Sequence, residues 1–231
     1  MKYNKITEGR FISRPNRFIA EVEIDGKREI VHVKNTGRCR ELLLEGVRVW
    51  LYDSENPQRK TRYDLIAVEK ERAGKEPVLI NIDSQIPNSA AAEWLPVSKL
   101  FSDSAKIRRE VTFGASRFDF YIEDGTRRAF LEVKGVTLER DGVVLFPDAP
   151  TERGVKHIDE LVSCLDEGYE AYILFVVQMK EVEVFRPNDE MHKAFGDALR
   201  RAASRGVKII AMDCIVTPDS MMIDKPIKVE L

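Results

Sequence analysis

Cysteine is scarce: the 231-residue chain has three, Cys39, Cys164 and Cys214, far apart and without a CxxC pair. Neither a disulfide framework nor a structural zinc site is indicated, and a reducing cytoplasm fits that usage best. Long apolar runs are missing. The most apolar stretch, Ala171 to Val177, is far too short to span a bilayer, and no long apolar segment follows Met1-Lys2-Tyr3-Asn4-Lys5, so no membrane partner is expected. A glycine-rich loop followed by Lys-Ser/Thr is absent too, with Gly74 lying in the charged stretch Glu69 to Glu76, and an ATPase reading has no support. Repeats and low-complexity segments are likewise lacking.

What the chain has is enough apolar material for one large domain or two small ones, at 43% hydrophobic and 33% charged residues. Its formal charge of -2 conceals an asymmetry: residues 1–80 hold 17 Lys/Arg against 13 Asp/Glu, and residues 81–231 hold 20 against 26. A basic N-terminal part is compatible with a nucleic-acid surface.

Two differently organised parts follow. Between Gly9 and about Ile82 the chain offers short β-type runs, Arg17–Ile24, Glu29–Lys34, Val47–Tyr52 and Tyr63–Glu69, with Asp25-Gly26 as a turn. Arg38 to Leu44 reads as a short helix. Strands this short and this closely spaced predict a small barrel or a partly open sheet over residues 1–84. Pro87 to Leu100 forms a bridging helix. Beyond it, strands at Ile107–Phe113, Arg117–Glu123 and Ala129–Lys134 precede a helix from Glu152 to Glu167, a strand Ala171–Gln178, a helix Asp189–Ala203 and a strand Lys208–Met212. That order predicts an α/β domain over residues 85–231, and a two-domain α+β chain as a whole.

The stretch Arg117 to Gly135, RFDFYIEDGTRRAFLEVKG, places charge inside two apolar strands, where unpaired charge is costly to bury. With Asp124-Gly125 as a two-residue loop, Asp119 faces Phe130 and Arg117 faces Glu132. Phe118, Phe120 and Ile122 then share one face with Ala129, Leu131 and Val133, while Asp119, Glu132 and Lys134 share the other. A tight turn at Gly114-Ala115 would set Glu110 across from Asp119. Carboxylates converging on a rigid sheet suit Mg2+ or Mn2+, which would polarise a phosphodiester and activate water. Lys134 could orient that water or offset charge developing on the phosphate. The residues alone also allow Glu132 and Lys134 as solvated strand residues, with Arg117 paired to Glu132.

Asp119 and Glu132-Val133-Lys134 resemble the acid, gap, (Asp/Glu)-x-Lys signature of the restriction-endonuclease-like nuclease superfamily, with Phe118 where its simplest form has proline. More narrowly, Arg109 to Phe120, Leu131 to Thr137, Glu152-Arg153-Gly154-Val155-Lys156-His157 and Asn35-Thr36-Gly37-Arg38-Cys39 resemble the SfsA (sugar fermentation stimulation protein) family along almost the whole chain. The resemblance implies an N-terminal OB-like barrel, a restriction-endonuclease-like α/β domain, and DNA binding with a regulatory role in sugar, particularly maltose, metabolism.

Further candidates follow from their placement. Arg153 and His157 share one face of a helix whose apolar stripe is Ile158, Leu161, Val162 and Leu165, so Arg153, Lys156 or His157 could meet phosphate near the metal. Gln178, ending the apolar strand, could reach the same site. Asn35-Thr36-Gly37-Arg38 would put Arg38 at a helix start beside exposed backbone N–H groups, a small anion site. Arg14, Arg17, Lys34 and Arg40 complete the candidate nucleic-acid surface. His32 and His192 receive no catalytic role. Expected catalytic residues are Asp119, Glu132, Lys134, Glu110, His157 and Gln178, with Asp119, Glu132 and Glu110 as ligands of Mg2+ or Mn2+. A metal-dependent DNA nuclease and a non-catalytic DNA-binding regulator both stay open, as does assembly into a homo-oligomer.

Overall fold

Alternating apolar residues in the first third of the chain give six strands, β1 (Ile6–Ser13), β2 (Ile19–Ile24), β3 (Lys27–Val33), β4 (Arg48–Asp53), β5 (Tyr63–Arg72) and β6 (Lys75–Asn81). The computed structural model describes residues 1–35 and 37–231. In β2 the pattern is plain: Ala20, Val22 and Ile24 are buried between Glu21 and Glu23, one side chain inward for each one outward. Antiparallel pairing runs β3-β2-β1-β4-β5-β6, and a short parallel pairing of His32 with Asp64 and Val33 with Leu65 closes β3 onto β5. Closure leaves β6 outside as an extension of β5. The result is the five-stranded OB-type barrel expected from the spacing.

The helix expected over Arg38 to Leu44 is not there. Cys39 takes a positive φ of 45°, and its carbonyl accepts from both Leu42 N (3.2 Å) and Leu43 N (2.9 Å), closing a single turn that goes no further. Cys39, Leu42 and Leu43 are buried in the barrel core, so apolar burial rather than helix propensity sets this segment.

Helix α1 (Ile86–Trp94) and a 3-10 turn (Leu95–Val97) bridge to the second domain. Ile86, Ala90 and Ala91 of α1 pack with Trp50, Ile66 and Ala67 of the barrel on one side and Phe120, Leu131 and Val133 on the other. The second domain is built on β7 (Lys106–Phe113), β8 (Ser116–Asp124), β9 (Arg127–Val136), β10 (Leu138–Arg140), β11 (Val143–Phe146), α2 (Glu152–Asp166), β12 (Glu170–Val177), β13 (Val184–Pro187), α3 (Asp189–Arg205), β14 (Lys208–Thr217), β15 (Ser220–Pro226) and β16 (Lys228–Val229). Its main sheet runs β15-β14-β12-β9-β8-β7, with β9, β12 and β14 parallel, and a smaller sheet runs β10-β11-β13-β16. Thr151 caps α2 by accepting from Gly154 N at 3.1 Å, and Ile158, Leu161 and Cys164 of that helix face the core. The described parts of the barrel and of the α/β unit therefore belong to separate sheets packed together.

Two details of the central hairpin differ from expectation. Asp124 pairs with Arg127, so the loop is Gly125-Thr126 and every facing pair shifts by two residues. An even shift preserves the faces and puts Asp119, just past the end of the β8–β9 ladder, in register with Glu132 instead of Phe130. The second difference is a break in alternation. Phe118 lies with Phe130 in the core against α2, whereas Phe120 lies with Leu131 in the core against α1, although two residues apart they should share a face. The break coincides with Glu110, whose φ of 55° interrupts the β7–β8 ladder between the pairs Arg109–Phe120 and Val111–Phe118, and with the end of β8–β9 pairing at Phe120–Leu131.

Candidate functional site

Where the pairing of β8 with β9 ends, Asp119 leaves the ladder and uses its carboxylate in place of backbone. Its Oδ2 accepts from Val133 N at 2.7 Å and its Oδ1 from Asn88 Nδ2 at 2.6 Å, which ties β8 to β9 and to α1. Glu132, whose charge is felt at Asp119, meets His157, which α2 delivers. His157 Nδ1 lies 2.6 Å from Glu132 Oε1, and Lys134 Nζ donates to the same oxygen at 2.6 Å. Arg153 Nε donates to His157 Nε2 at 3.3 Å, which makes Nε2 the acceptor and assigns the imidazole proton to Nδ1, facing Glu132. The four-residue spacing of Arg153 and His157 on one turn of α2 builds this chain.

The two carboxylates differ in electrostatics. Burial, with the Glu132 charge nearby, pushes the Asp119 carboxyl above the usual aspartate range. Burial acts on Glu132 in the same direction, but the hydrogen bonds from His157 and Lys134 outweigh it and hold that carboxyl below the usual glutamate range. Glu132 is thus the settled anion of the pair, and Asp119 the member whose ionisation a nearby cation would favour.

Glu132 is only 4% exposed, yet its Oε2 is buried without a hydrogen-bond partner in the protein. A carboxylate oxygen held dry and unpaired beside a second carboxylate is a donor set that fits a hard divalent cation. Glu110 does not join it. Its side chain is exposed and lies 3.6 Å from Arg117, because the positive φ turns it away from Asp119. Arg117 consequently takes Glu110 as its partner rather than Glu132. Among the described residues no group of three or more His, Cys, Asp and Glu side chains has a metal-holding arrangement. The expected third acid is missing from the centre.

Gln178 sits beside the site as part of the domain junction. Its Nε2 donates to the carbonyls of Asn81 (2.8 Å) and Asp83 (3.2 Å), and its Oε1 lies against Gly135 where any side chain would collide. Pro87 Cγ closes the same space, at 2.7 Å from a Cβ built there, so only glycine fits directly after Lys134. Gly135 and Gln178 line a crevice of about 90 Å³ with Asn35, Ser84, Phe146 and Asp148.

The arginines fall into two groups. Arg14 is engaged through its terminal nitrogens: Nη1 donates to the carbonyls of Gly37 and Arg38, and Nη2 to those of Arg17 and Asn35, at 2.7–2.9 Å. Lys34 is engaged as well, with Asp64 at 3.0 Å and Asp83 at 3.6 Å. By contrast, Arg17, Arg38 and Arg40 are exposed around a pocket of about 280 Å³ and have no carboxylate partner among the described residues. With no helix there, Arg38 stands on a turn beside Gly37 rather than at a helix N-terminus, and Thr36 lies outside the described residues. On α2, Lys156 is exposed with Glu160 at 3.8 Å.

The model for the "Sugar fermentation stimulation protein RE domain" matches residues 85–220, and that for the "SfsA N-terminal OB domain" matches residues 12–81. The chain belongs to the SfsA family. A sugar fermentation stimulation protein homolog of Desulfitobacterium hafniense (strain Y51) is 59% identical over 96% of this chain and 94% of that protein. The homolog of Ruminiclostridium cellulolyticum is 52% identical over the full length of both. The solved structure of Pyrococcus furiosus SfsA, in complex with Ca2+, superposes with a TM-score of 0.84 at 27% identity, covering 100% of this chain and 98% of that one. The α/β domain of this SfsA family member is therefore restriction-endonuclease-like. No helix among the described residues is long and apolar enough to cross a membrane.

Asn88 and Asp148 were not legible as site residues. Asn88 is one polar residue in the small-residue helix Ile-Pro-Asn-Ser-Ala-Ala-Ala-Glu-Trp, and its place in that run of alanines is the only local signal. Asp148 follows Phe146-Pro147 in a loop that meets Gly37 of the barrel, a contact between domains that no local pattern announces.

Proposed function

We propose that this protein is a Mg2+- or Mn2+-dependent DNA phosphodiesterase, with Asp119 and Glu132 holding the cation and Lys134 assisting hydrolysis. The observation that carries the reading is the buried, unpartnered Oε2 of Glu132 beside Asp119. The Ca2+ bound by the related Pyrococcus protein supports a divalent site in the family.

A bound cation would supply Lewis-acid polarisation of the phosphodiester and a lowered pKa for the attacking water. Within the protein, His157 orients Glu132 through one oxygen and leaves the other for the cation, and Arg153 fixes the imidazole in turn. Asn88 and Val133 N hold Asp119 in place while each of its oxygens keeps a free lone pair. Lys134 is preorganised beside the anion and can turn to the phosphate oxygens as charge grows on them. Arg17, Arg38 and Arg40 would bind phosphates of the DNA, aided by Lys156 of α2.

One observation favours a non-catalytic DNA-binding regulator instead: two carboxylates converge where three were expected. Cleavage of several DNA forms in Mg2+ or Mn2+ by the parent, Asp119→Ala and Lys134→Ala, each first passed through a folding check, separates the two. The nuclease reading predicts metal-dependent cleavage by the parent and by neither variant. Saturable DNA binding without cleavage by a metal-bound parent would leave the regulator.

A further inference from the structure

The arginine pocket has a neighbour that phosphate binding does not explain. Phe18 is 49% exposed just before β2, next to the pocket residue Arg17. The Arg17 guanidinium lies over one face of its ring, 4.7 Å from the centroid. Asn16 Oδ1 accepts from Phe18 N (2.8 Å) and Ile19 N (3.2 Å), fixing the turn that presents the ring. Arg14, bonded to the carbonyls of Arg17, Asn35, Gly37 and Arg38, pins the two walls of the pocket to each other. An exposed aromatic ring is thus held firmly beside three cations that no carboxylate among the described residues neutralises.

We propose that Phe18, with Arg17, Arg38 and Arg40, forms a subsite for single-stranded DNA, in which one unpaired base stacks on Phe18 and its flanking phosphates meet the arginines. The proposal rests on the DNA reading above and adds the form of the substrate and its route. A base inside a duplex has both faces covered by its neighbours, so an aromatic platform engages only a base that is unstacked. The arginines match the charge of the backbone, and the planar guanidinium over Phe18 stiffens the platform.

The route onward is short. Gly37, a wall of the pocket, touches the Asp148 carboxylate so closely that a Cβ there would clash with it. Asp148 in turn lines the narrow crevice with Gly135 and Gln178, one residue from Lys134. Burial holds the Asp148 carboxyl above the ordinary aspartate range. At about 90 Å³, the crevice has the volume of about three waters and is far too narrow to admit a duplex.

The test is fluorescence anisotropy at two salt concentrations with a short labelled oligodeoxythymidine and a blunt hairpin duplex, using the parent, F18A, F18W and the double variant R38A/R40A. Phe18 is exposed, so its substitutions leave the core untouched, and circular dichroism checks this. F18A should weaken single-strand binding about five-fold or more, the equivalent of about 1 kcal/mol of stacking, while hairpin binding stays at the parent level. F18W should restore it. The double variant should lower the salt slope by roughly 0.7 for each phosphate it no longer neutralises. Parent-like single-strand affinity in F18A, or an equal loss for both probes, would overturn the stacking subsite while leaving the nuclease reading standing wherever the parent still cleaves. A parent that binds neither probe would sink both.

Discussion

The carboxylate centre and the arginine pocket handle charge in opposite ways. At the centre Glu132 and His157 are almost fully buried, and each charge meets a partner: Glu132 has His157 and Lys134, and Asp119 has Asn88 and a backbone N–H. In the pocket Arg17, Arg38 and Arg40 are exposed and face no acid among the described residues, although most arginines of this chain sit beside a carboxylate. Burial demands compensation from within, because a desolvated charge costs several kcal/mol if left alone. Exposure does not, and an uncompensated surface cluster stays available to an external anion. On the proposed reading the centre would hold a small cation in place and the pocket would draw in a polyanion.

The largest effect separating the two regions should come from Glu132→Ala. That change strands His157 and Lys134 without their shared acceptor, and removing one partner from a buried ionic group typically costs about 3–5 kcal/mol. In a chain of this size such a loss lowers Tm on the order of 10 °C, read by thermal unfolding in chelator. A Tm within about a degree of the parent would mean that Glu132 is not held as described.

A smaller contrast lies inside the pocket. Arg14→Ala removes the donors that join the two walls and should cost about 1–3 kcal/mol. Arg38→Ala removes only a solvated charge and should change stability by less than about 0.5 kcal/mol. Equal destabilisation by the two substitutions would erase the distinction between a structural and a ligand-facing arginine.

Much of the centre was legible because it depends on local period. Glu132 and Lys134 share a face through strand alternation alone, and Arg153 and His157 share one through the helical repeat. The β-rich barrel and the α/β order also followed from pattern, down to α2 within a residue of its observed limits. What failed depended on the third dimension. A backbone excursion at Glu110 removed that acid from the cluster and split Phe118 from Phe120. Arg14 and Lys34 looked like free cations because their partners, the carbonyls of Arg17, Asn35, Gly37 and Arg38 and the buried acids Asp64 and Asp83, are distant in sequence or invisible to composition. Strand β1, interrupted by Glu8-Gly9-Arg10, and the two- to four-residue strands β10, β11, β13 and β16 carry too little periodicity to stand out.

Calorimetric titration of Mn2+ into the metal-free parent and into Asp119→Asn, at neutral pH and again in mild acid, bears most directly on the account. A raised Asp119 carboxyl takes up its proton at a higher pH than an ordinary aspartate, and the cation needs the ionised form. Affinity should therefore fall as pH is lowered through that range, while Glu132, held below its usual value, stays charged. The account predicts saturable binding to one site in the parent, weaker in acid and lost in Asp119→Asn. Saturable binding of equal strength in Asp119→Asn, or no binding to the folded parent, would contradict it.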